Sequence, residues 1–331
     1  MTSLKTKLYK NIELPLIEKY RPICIDDILM DNFIKIKIQK IINQKIIPNL
    51  IITGEPGTGK TSTILCLANQ IFGNKLNENI LELNASDDRG LSIINNTIIP
   101  FCKKKINKSL YKLIILDEAD SITQKAQNLL NTVISEYNNK NRFIFICNDY
   151  TKINESIQSN CMIIKFHKIS NQNLYDKIES ICINEKIKYN DEGINNLIYV
   201  SNNNIRYCIN NLECIFKSGY PIKKKYIYKL IDIPKPKYIN NIIENSLNGN
   251  LKESIKIINQ LFEKGYSSND ILLTFLKFLL DKNLNKNMNE EVRLKLYEIV
   301  SLIFIRVNDG VDTLLQLCGC ISNIYLYQKK N

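Results

Sequence analysis

The apolar residues in the first half of the chain gather in five short runs. These runs occupy residues 50–52, 80–83, 113–116, 143–147 and 162–164. A strand buried on both faces of a parallel sheet is apolar at nearly every position, whereas a half-exposed strand alternates apolar and polar residues. Segments with helical spacing separate the runs, and the helix that follows Gly90 is expected to break near Pro100. The pattern therefore predicts a parallel five-stranded sheet in an α/β three-layer domain over residues 1–166.

Beyond residue 166 the pattern predicts helices. Ile205, Ile209, Leu212 and Phe216 fall on one face of a helix that ends near Gly219. Residues 233–237 contain two prolines and predict a linker, and residues 238–327 predict helices interrupted at glycines. We expect the interruptions at Gly249, Gly265 and Gly310. Two helical domains should therefore follow the α/β domain, at residues 167–232 and 233–331.

The first apolar run leads into a glycine-rich turn, and a predicted helix follows as far as Gly73. The glycines let the backbone turn tightly and aim N–H groups at a polyphosphate, while the lysine adds a mobile positive charge. The N-terminus of the helix also favours anions. The pattern predicts a site for ATP or GTP, formed by Gly54, Glu55, Pro56, Gly57, Thr58, Gly59, Lys60, Thr61 and Ser62.

Polar residues follow the third and fourth runs. Asp117 and Glu118 come directly after one strand, and Asn148 ends the next. Ligands of an open parallel sheet bind beyond the carboxyl ends of its strands, so these side chains should converge on the nucleotide. We expect Thr61 and Asp117 to hold Mg²⁺. Glu118 should orient and deprotonate the attacking water, and Asn148 should hydrogen-bond that water or the γ-phosphate.

The charge balance changes the expected partners. The chain has 45 Lys and Arg residues against 33 Asp and Glu, a formal net charge of +12. Such a surface suits a partner that carries phosphates, although it can equally serve solubility alone. Only six basic residues are arginines, and each is a candidate for a bidentate role that lysine cannot fill. The candidate nucleic-acid contacts are Lys103, Lys104, Lys105 and Lys125.

The ten cysteines include no C-x-x-C pair, and several lie within apolar runs. This usage predicts buried, reduced thiols in an intracellular compartment rather than disulfides or zinc. No apolar run approaches the length that crosses a bilayer, so no membrane partner is expected.

Several motifs occur together in a fixed order. They are EKYRP at residues 18–22, GKT at 59–61, ELNASDDRG at 82–90, LDEAD at 116–120 and CN at 147–148. Together they resemble the small subunits of replication factor C, the eukaryotic sliding-clamp loader of the AAA+ ATPase class. The KGYSS segment at residues 264–268 is most similar to the subunit 2/4 type. The resemblance implies that the three predicted domains are an AAA+ P-loop domain, a helical lid and an all-α oligomerisation collar.

The same resemblance implies an activity, partners and a location. The activity is hydrolysis of ATP with Mg²⁺, which drives loading of a sliding clamp during DNA replication and repair. The partners are the other subunits of a hetero-pentamer, the clamp PCNA and primer–template DNA, and the location is the nucleus.

The resemblance also implies roles for matching residues. Tyr20 and Arg21 resemble the segment that wraps the adenine. Asn84 resembles the residue that pairs with the catalytic glutamate and holds it idle until DNA binds. Asn148 matches sensor one, and Arg206 resembles sensor two, a lid arginine that touches the γ-phosphate.

The chain departs from the family where the family reaches into a neighbouring subunit. The Ser-Arg-Cys motif is replaced by Ser-Asn-Cys with Asn160 at its centre, and paired arginines are replaced by Asn131 and Thr132. Asn95 replaces a family arginine that contacts DNA. These departures put donation of a trans arginine in doubt. They leave open a structural subunit that binds ATP for assembly and scarcely turns it over. An unrelated P-loop helicase is disfavoured, because the other strand-end motifs fit the loader.

Overall fold

A computed structural model describes residues 14–73, 79–87, 90–104, 111–231, 233–281 and 288–330. The chain forms two compact units, residues 1–223 and 224–331. The strands of the first unit are β1 (Leu50–Gly54), β2 (Ile80–Asn84), β3 (Lys112–Asp117), β4 (Asn141–Cys147) and β5 (Met162–Phe166). Its helices are α1 (Leu16–Lys19), α2 (Asn32–Gln44), α3 (Lys60–Phe72), α4 (residues 91–103), α5 (Gln124–Tyr137), α6 (Glu155–Gln158), α7 (Asn171–Asn184), α8 (Asp191–Val200) and α9 (Ile205–Lys217).

The five strands form one parallel sheet in the order β2-β3-β4-β1-β5, which confirms the predicted strands. Leu50 of β1 pairs with Ile144 of β4 on one side and with Met162 of β5 on the other. Asn84 of β2 lies opposite Asp117 of β3. Because β4 lies between β3 and β1, the polar residues after β3 and β4 meet the loop after β1 at one edge.

Helices cover both faces of the sheet, and this explains why its strands are apolar at successive positions. Ile52 and its neighbours on one face pack in a cluster with Leu67 of α3. Ile51 and Phe145, on the other face, pack in a second cluster with Leu130 of α5. The layered α/β architecture is therefore the predicted one.

Helix α4 corrects one local expectation. The sequence predicts a break near Pro100, but the backbone stays helical from Leu91 to Lys103. Residues Ile94–Ile98, which are separated from the proline by Ile99, form a π-helical segment. Proline lacks an N–H group and its ring clashes with the carbonyl of the preceding turn. The wider π turn accommodates the ring without ending the helix.

The carboxyl end of α4 is capped by a buried lysine. Lys112, which begins β3, is 2% exposed. Its Nζ donates to the backbone carbonyls of Phe101, Cys102 and Lys104, the last turn of α4. The Phe101 carbonyl also accepts from the backbone N–H of Lys104 at 3.3 Å. A cation is favoured at this end of the helix dipole. Burial lowers the pKa of Lys112, as expected for an ammonium removed from water.

The lid helices α7, α8 and α9 each begin with a side-chain cap. Ser170, Asn190 and Asn204 accept hydrogen bonds from backbone N–H groups in the first turn of their helices. Ser, Asn and Asp are favoured at this position because their oxygens satisfy N–H groups that lack a helical partner. Leu174 and Leu212 lie in the buried interior of this helical region.

The second unit is helical throughout its described residues. Its helices are α10 (Lys224–Leu230), α11 (Pro236–Leu247), α12 (Leu251–Glu263), α13 (Ser268–Leu280), α14 (Glu290–Asn308) and α15 (Leu314–Lys330). Gly249, Gly265 and Gly310 lie between helices with positive φ, so the three predicted interruptions are confirmed. The bounds of the three predicted domains remain a prediction. None of the helices in the described ranges is both long and apolar enough to cross a membrane.

We expect the substitution Lys112→Met to lower the free energy of unfolding by about 2 kcal/mol. Methionine keeps most of the buried volume but removes the three hydrogen bonds that the ammonium group donates to carbonyls at the end of α4. Chemical denaturation followed by circular dichroism measures the effect. Lys40→Met is the control, since Lys40 is exposed on α2 and should change stability by less than about 0.5 kcal/mol. Equal stabilities of the two variants would contradict the capping role.

Candidate functional site

The phosphate loop, residues 54–61, connects β1 to α3. Gly54, Gly57 and Gly59 have φ values of 152°, 75° and 90°, a region that side chains rarely adopt. Space is also limiting, because a Cβ atom at Gly54 would lie 2.4 Å from the carbonyl oxygen of Phe166. The conformation of the loop therefore depends on glycine at these positions, as its sequence pattern predicts.

Lys60, the first residue of α3, is folded back over the phosphate loop. It is 7% exposed, and its Nζ donates to the carbonyl oxygens of Gly54 at 2.7 Å and Glu55 at 3.0 Å. A third bond, of 2.9 Å, reaches Oδ1 of Asn148 after β4. The lysine thus joins the loop to the end of a neighbouring strand.

The surroundings of Lys60 shift the pKa of its ammonium group in opposite directions. Burial is the largest influence and lowers the pKa of its ammonium group, and the nearby Arg206 lowers that pKa further. The carboxylates of Asp117 and Asp120 raise it. A phosphate bound here would add negative charge and favour the charged lysine.

The end of β3 places two oxygens where a cation could bind. Thr61 Oγ1 donates to Asp117 Oδ2 at 2.9 Å. Hydroxyl and carboxylate oxygens are the ligands that Mg²⁺ prefers, so this pair fits the predicted metal. The other Asp117 oxygen accepts from the backbone N–H of Glu118 at 2.8 Å.

Glu118 has an unusual backbone conformation for a residue with a side chain. Its φ of 53° and ψ of 39° lie in the left-handed region, and its side chain is exposed. Within the described ranges, its carboxylate has no hydrogen-bond or ion-pair partner. Strained backbone of this kind is common at functional sites. The carboxylate is therefore available to act as a base toward a water molecule.

A cavity of about 430 Å³ extends from the phosphate loop and is large enough for a small-molecule ligand. Its walls include Tyr20, Arg21, Thr58, Ser62 and Arg206, together with isoleucines of the amino-terminal segment and the lid. A smaller cavity of about 150 Å³ lies along the loop. It is lined by Pro56, Lys60, Asp117, Glu118, Asn148 and Arg206. The structure thus brings together the residues predicted for nucleotide binding and for hydrolysis.

The amino-terminal segment of the cavity wall is fastened to the lid. The Tyr20 hydroxyl donates to Glu185 Oε1 at 2.5 Å, and Lys19 pairs with the same oxygen at 2.7 Å. The backbone N–H of Leu16 donates to Glu213 Oε2 at 2.9 Å. Burial and the Glu185 carboxylate raise the pKa of Tyr20 to about 12, and the bonds from Lys19 and Tyr20 lower that of Glu185. Sequence reasoning did not identify either glutamate.

Arg206 lies in the first turn of α9 and faces both cavities. In the part of the chain that the structure describes, its guanidinium makes no hydrogen bond or ion pair. Asn204 caps the same turn and also donates from Nδ2 to the carbonyl oxygen of Pro56 at 2.9 Å. The cap follows a recognisable sequence signal, an asparagine before an amphipathic helix, but the bond to the loop has none.

The predicted switch residue Asn84 is engaged locally. Its Oδ1 accepts from the backbone N–H of Ser86 at 3.1 Å and from the Ser86 hydroxyl at 2.9 Å. No hydrogen bond joins Asn84 to Glu118 in the described structure. Their pairing stays a prediction.

The candidate nucleic-acid contacts lie outside the cavity. Lys103 and Lys104 are exposed at the carboxyl end of α4, and Lys125 is exposed at the start of α5. Lys105 lies outside the described residues.

The surface around Asn160 is built of amide side chains. Asn160 Nδ2 donates to Asn131 Oδ1 at 3.3 Å and to the Ser156 carbonyl at 3.0 Å. Nearby in sequence, Asn154 Nδ2 donates to Asn128 Oδ1 at 2.8 Å. Asn131 and Asn160, two of the positions where the resemblance implies arginine, are therefore neutral and bonded to each other.

Known proteins share this fold. The RuvB Holliday junction branch migration motor of Thermotoga maritima matches with a TM-score of 0.54 at 13% identity. The match covers 68% of this chain and 78% of that protein. Likeness at this identity supports the fold alone.

Sequence comparisons identify the family. A family model for the ATPase family associated with various cellular activities (AAA) matches residues 50–168, and one for the replication factor C C-terminal domain matches residues 234–323. Replication factor C subunit 4 of Saccharomyces cerevisiae is 36% identical over 97% of this chain and 98% of its own length. Replication factor C subunit 2 of Arabidopsis thaliana is 35% identical over 95% and 94%, respectively. The chain therefore belongs to the replication factor C small-subunit family, and its ATPase domain is of the AAA class.

Proposed function

We propose that this chain is an ATPase subunit of a replication factor C clamp loader. It binds and hydrolyses ATP within a hetero-pentamer of replication factor C subunits, in the nucleus, and helps to load the ring-shaped clamp PCNA onto primer–template DNA. The observation that carries the proposal is the convergence of Lys60, Thr61, Asp117, Asn148 and Arg206 on adjoining cavities.

Each of these side chains has a chemical task in the proposed reaction. Lys60 and the loop N–H groups bind the phosphates, and Tyr20 and Arg21 line the part of the cavity assigned to adenine. Thr61 and Asp117 would hold Mg²⁺, which neutralises phosphate charge and polarises the γ-phosphoryl group. Glu118 accepts a proton from the attacking water, and Asn148 orients that water. Arg206 approaches the γ-phosphate from the lid.

DNA would be held through its phosphates. Lys103, Lys104, Lys105 and Lys125 are the proposed contacts, and lysines of this kind give salt-dependent binding with little base specificity. Asn84 would link DNA binding to hydrolysis by releasing Glu118.

A second candidate function is a scaffold subunit that binds ATP but contributes little catalysis. The observation that favours it is the neutral surface around Asn160, where the amide is bonded to Asn131 and Ser156. An amide cannot supply the charge that a trans arginine gives to a neighbour's phosphates. In that case ATP at this subunit would serve assembly.

The substitutions Lys60→Ala and Glu118→Gln separate binding from hydrolysis. In the reconstituted complex with PCNA and primed DNA, Lys60→Ala should abolish ATP binding at this subunit and slow clamp loading. Glu118→Gln should retain ATP binding, because the side chain of Glu118 makes no hydrogen bond or ion pair within the described residues. It should lower turnover at this subunit's site by about 10²- to 10⁴-fold, since it removes the base.

Nucleotide binding by equilibrium titration, ATP turnover and clamp loading are measured for each variant. Glu136 is an exposed glutamate on α5. The variant Glu136→Gln is therefore the matched control and should behave as wild type. If neither Lys60→Ala nor Glu118→Gln reduces clamp loading, the catalytic proposal fails and the scaffold function stands.

Restoring charge with Asn160→Arg tests what this subunit gives to its neighbour. Turnover at the adjacent subunit's site should rise by about tenfold or more, because a trans arginine contributes up to about 10³- to 10⁵-fold. Single-turnover hydrolysis in the reconstituted complex measures the change. Asn160→Gln is the neutral control and should leave turnover unaltered. An unchanged rate with arginine would mean that the adjacent site is idle for another reason.

A further inference from the structure

Asn204 contacts the phosphate loop and the first turn of α9 at the same time. Its Oδ1 accepts from the backbone N–H groups of Arg206 at 3.0 Å and Tyr207 at 3.3 Å. Its Nδ2 donates to the carbonyl oxygen of Pro56 at 2.9 Å. One amide group therefore joins segments that lie 148 residues apart in the sequence.

The amide packs directly on the loop backbone. A Cβ atom at Gly57 would lie 2.0 Å from Asn204 Oδ1 and 2.6 Å from Nδ2. Since no side chain fits between them, the loop and the lid helix are in contact at this point. Gly57 is thus required both for its φ of 75° and for this approach.

A second polar link between the loop and the lid, seen in the described residues, is weaker. Lys168 and Glu55 form an ion pair of 3.1 Å, but their side chains are 57% and 60% exposed. Ion pairs in such exposed positions contribute little to stability. The Asn204 contact is the one that also fixes helix geometry.

We propose that Asn204 is a positioning residue that holds Arg206 at a fixed place relative to the phosphate loop. The inference rests on the proposed function, in which Arg206 approaches the γ-phosphate, the group that ATP has and ADP lacks. Because the Arg206 guanidinium has no partner in the described residues, its position depends on the turn that carries it. That turn is joined to Pro56 by the hydrogen bond that the amide of Asn204 donates.

The chemistry of the side chain makes the inference testable. Asp at this position keeps the capping oxygen but loses the N–H donor to Pro56. Ser also caps, adds no charge, and is too short to reach both partners. Both substitutions should therefore leave α9 formed while releasing it from the loop.

Asn190 provides a matched control within the same lid. It caps α8 by accepting from the backbone N–H of Gly193 at 2.9 Å. In the described part of the chain it makes no hydrogen bond to the phosphate loop. Asn190→Asp thus repeats the chemical change without the contact to the loop.

The experiment measures equilibrium binding of ATP and of ADP, each with Mg²⁺, to this subunit in the reconstituted complex. Wild type should prefer ATP, and Arg206→Ala should lose that preference. Asn204→Asp and Asn204→Ser should each reduce the ATP-to-ADP affinity ratio by roughly three- to tenfold. Asn190→Asp should retain the wild-type ratio. Hydrogen exchange at the Arg206 and Tyr207 amides should remain slow in both Asn204 variants, because the cap is kept.

Adding Asn204→Ser to Arg206→Ala should reduce the ratio no further, since Asn204 acts through Arg206. The inference is overturned if both Asn204 variants keep the wild-type ratio, or if they lower it equally in the Arg206→Ala background. Failure of the proposed function gives a different result, in which wild type binds neither nucleotide. If Asn204→Asp lowers the ATP-to-ADP affinity ratio and Asn204→Ser does not, the effect comes from the added charge. That result would also overturn the proposed positioning role of Asn204.

Discussion

A buried ammonium group determines how the nucleotide site of this subunit is assembled. Lys60 is removed from water and must be paired, since an isolated buried charge is strongly unfavourable. Its partners come from two elements, the loop carbonyls of Gly54 and Glu55 and the side chain of Asn148. The contact therefore requires β1 and β4 to be neighbours in the sheet. Thr53 reinforces their alignment, because its hydroxyl donates to the Asn148 carbonyl at 3.0 Å.

The lid closes over the two ends of the cavity by different contacts. At the end assigned to adenine, the Glu185 carboxylate accepts a hydrogen bond from Tyr20 and forms an ion pair with Lys19. At the phosphate end, Asn204 holds Pro56. These bonds come from α7 and from the cap of α9, so a movement of the lid would alter both ends together. The proposed contact of Arg206 with the γ-phosphate therefore depends on the position of the lid, which these bonds at both ends of the cavity determine.

Local patterns in the sequence predicted most of the fold and the inner part of the site. The apolar runs around Ile51 and Ile114 identify buried strands, and the closely spaced glycines identify the phosphate loop. The pattern does not determine strand order, because β1 pairs with β4 across more than ninety residues. The Tyr20–Glu185 bond and the Asn204–Pro56 bond likewise join segments that are distant in the chain. The local sequence around Glu185 or Asn204 gives no signal that predicts these partners.

The predicted break at Pro100 was wrong. The π-helical segment that accommodates the proline depends on the packing of α4 in the folded domain, and amino-acid composition does not predict it.

The subunit's own nucleotide site and the surface around Asn160 differ in charge. Lysine dominates the basic residues of this chain, and lysine at these positions would have retained the charge. Asparagine stands at positions 131 and 160 instead, and the two amides satisfy each other across 3.3 Å. A pair bonded in this way presents no free cation to a neighbouring phosphate. Arg206, in contrast, lies beside the subunit's own loop, and its guanidinium has no hydrogen-bond or ion-pair partner among the described residues. In the proposed assembly, the subunit therefore retains the charges that serve its own nucleotide and lacks the one that would serve the next.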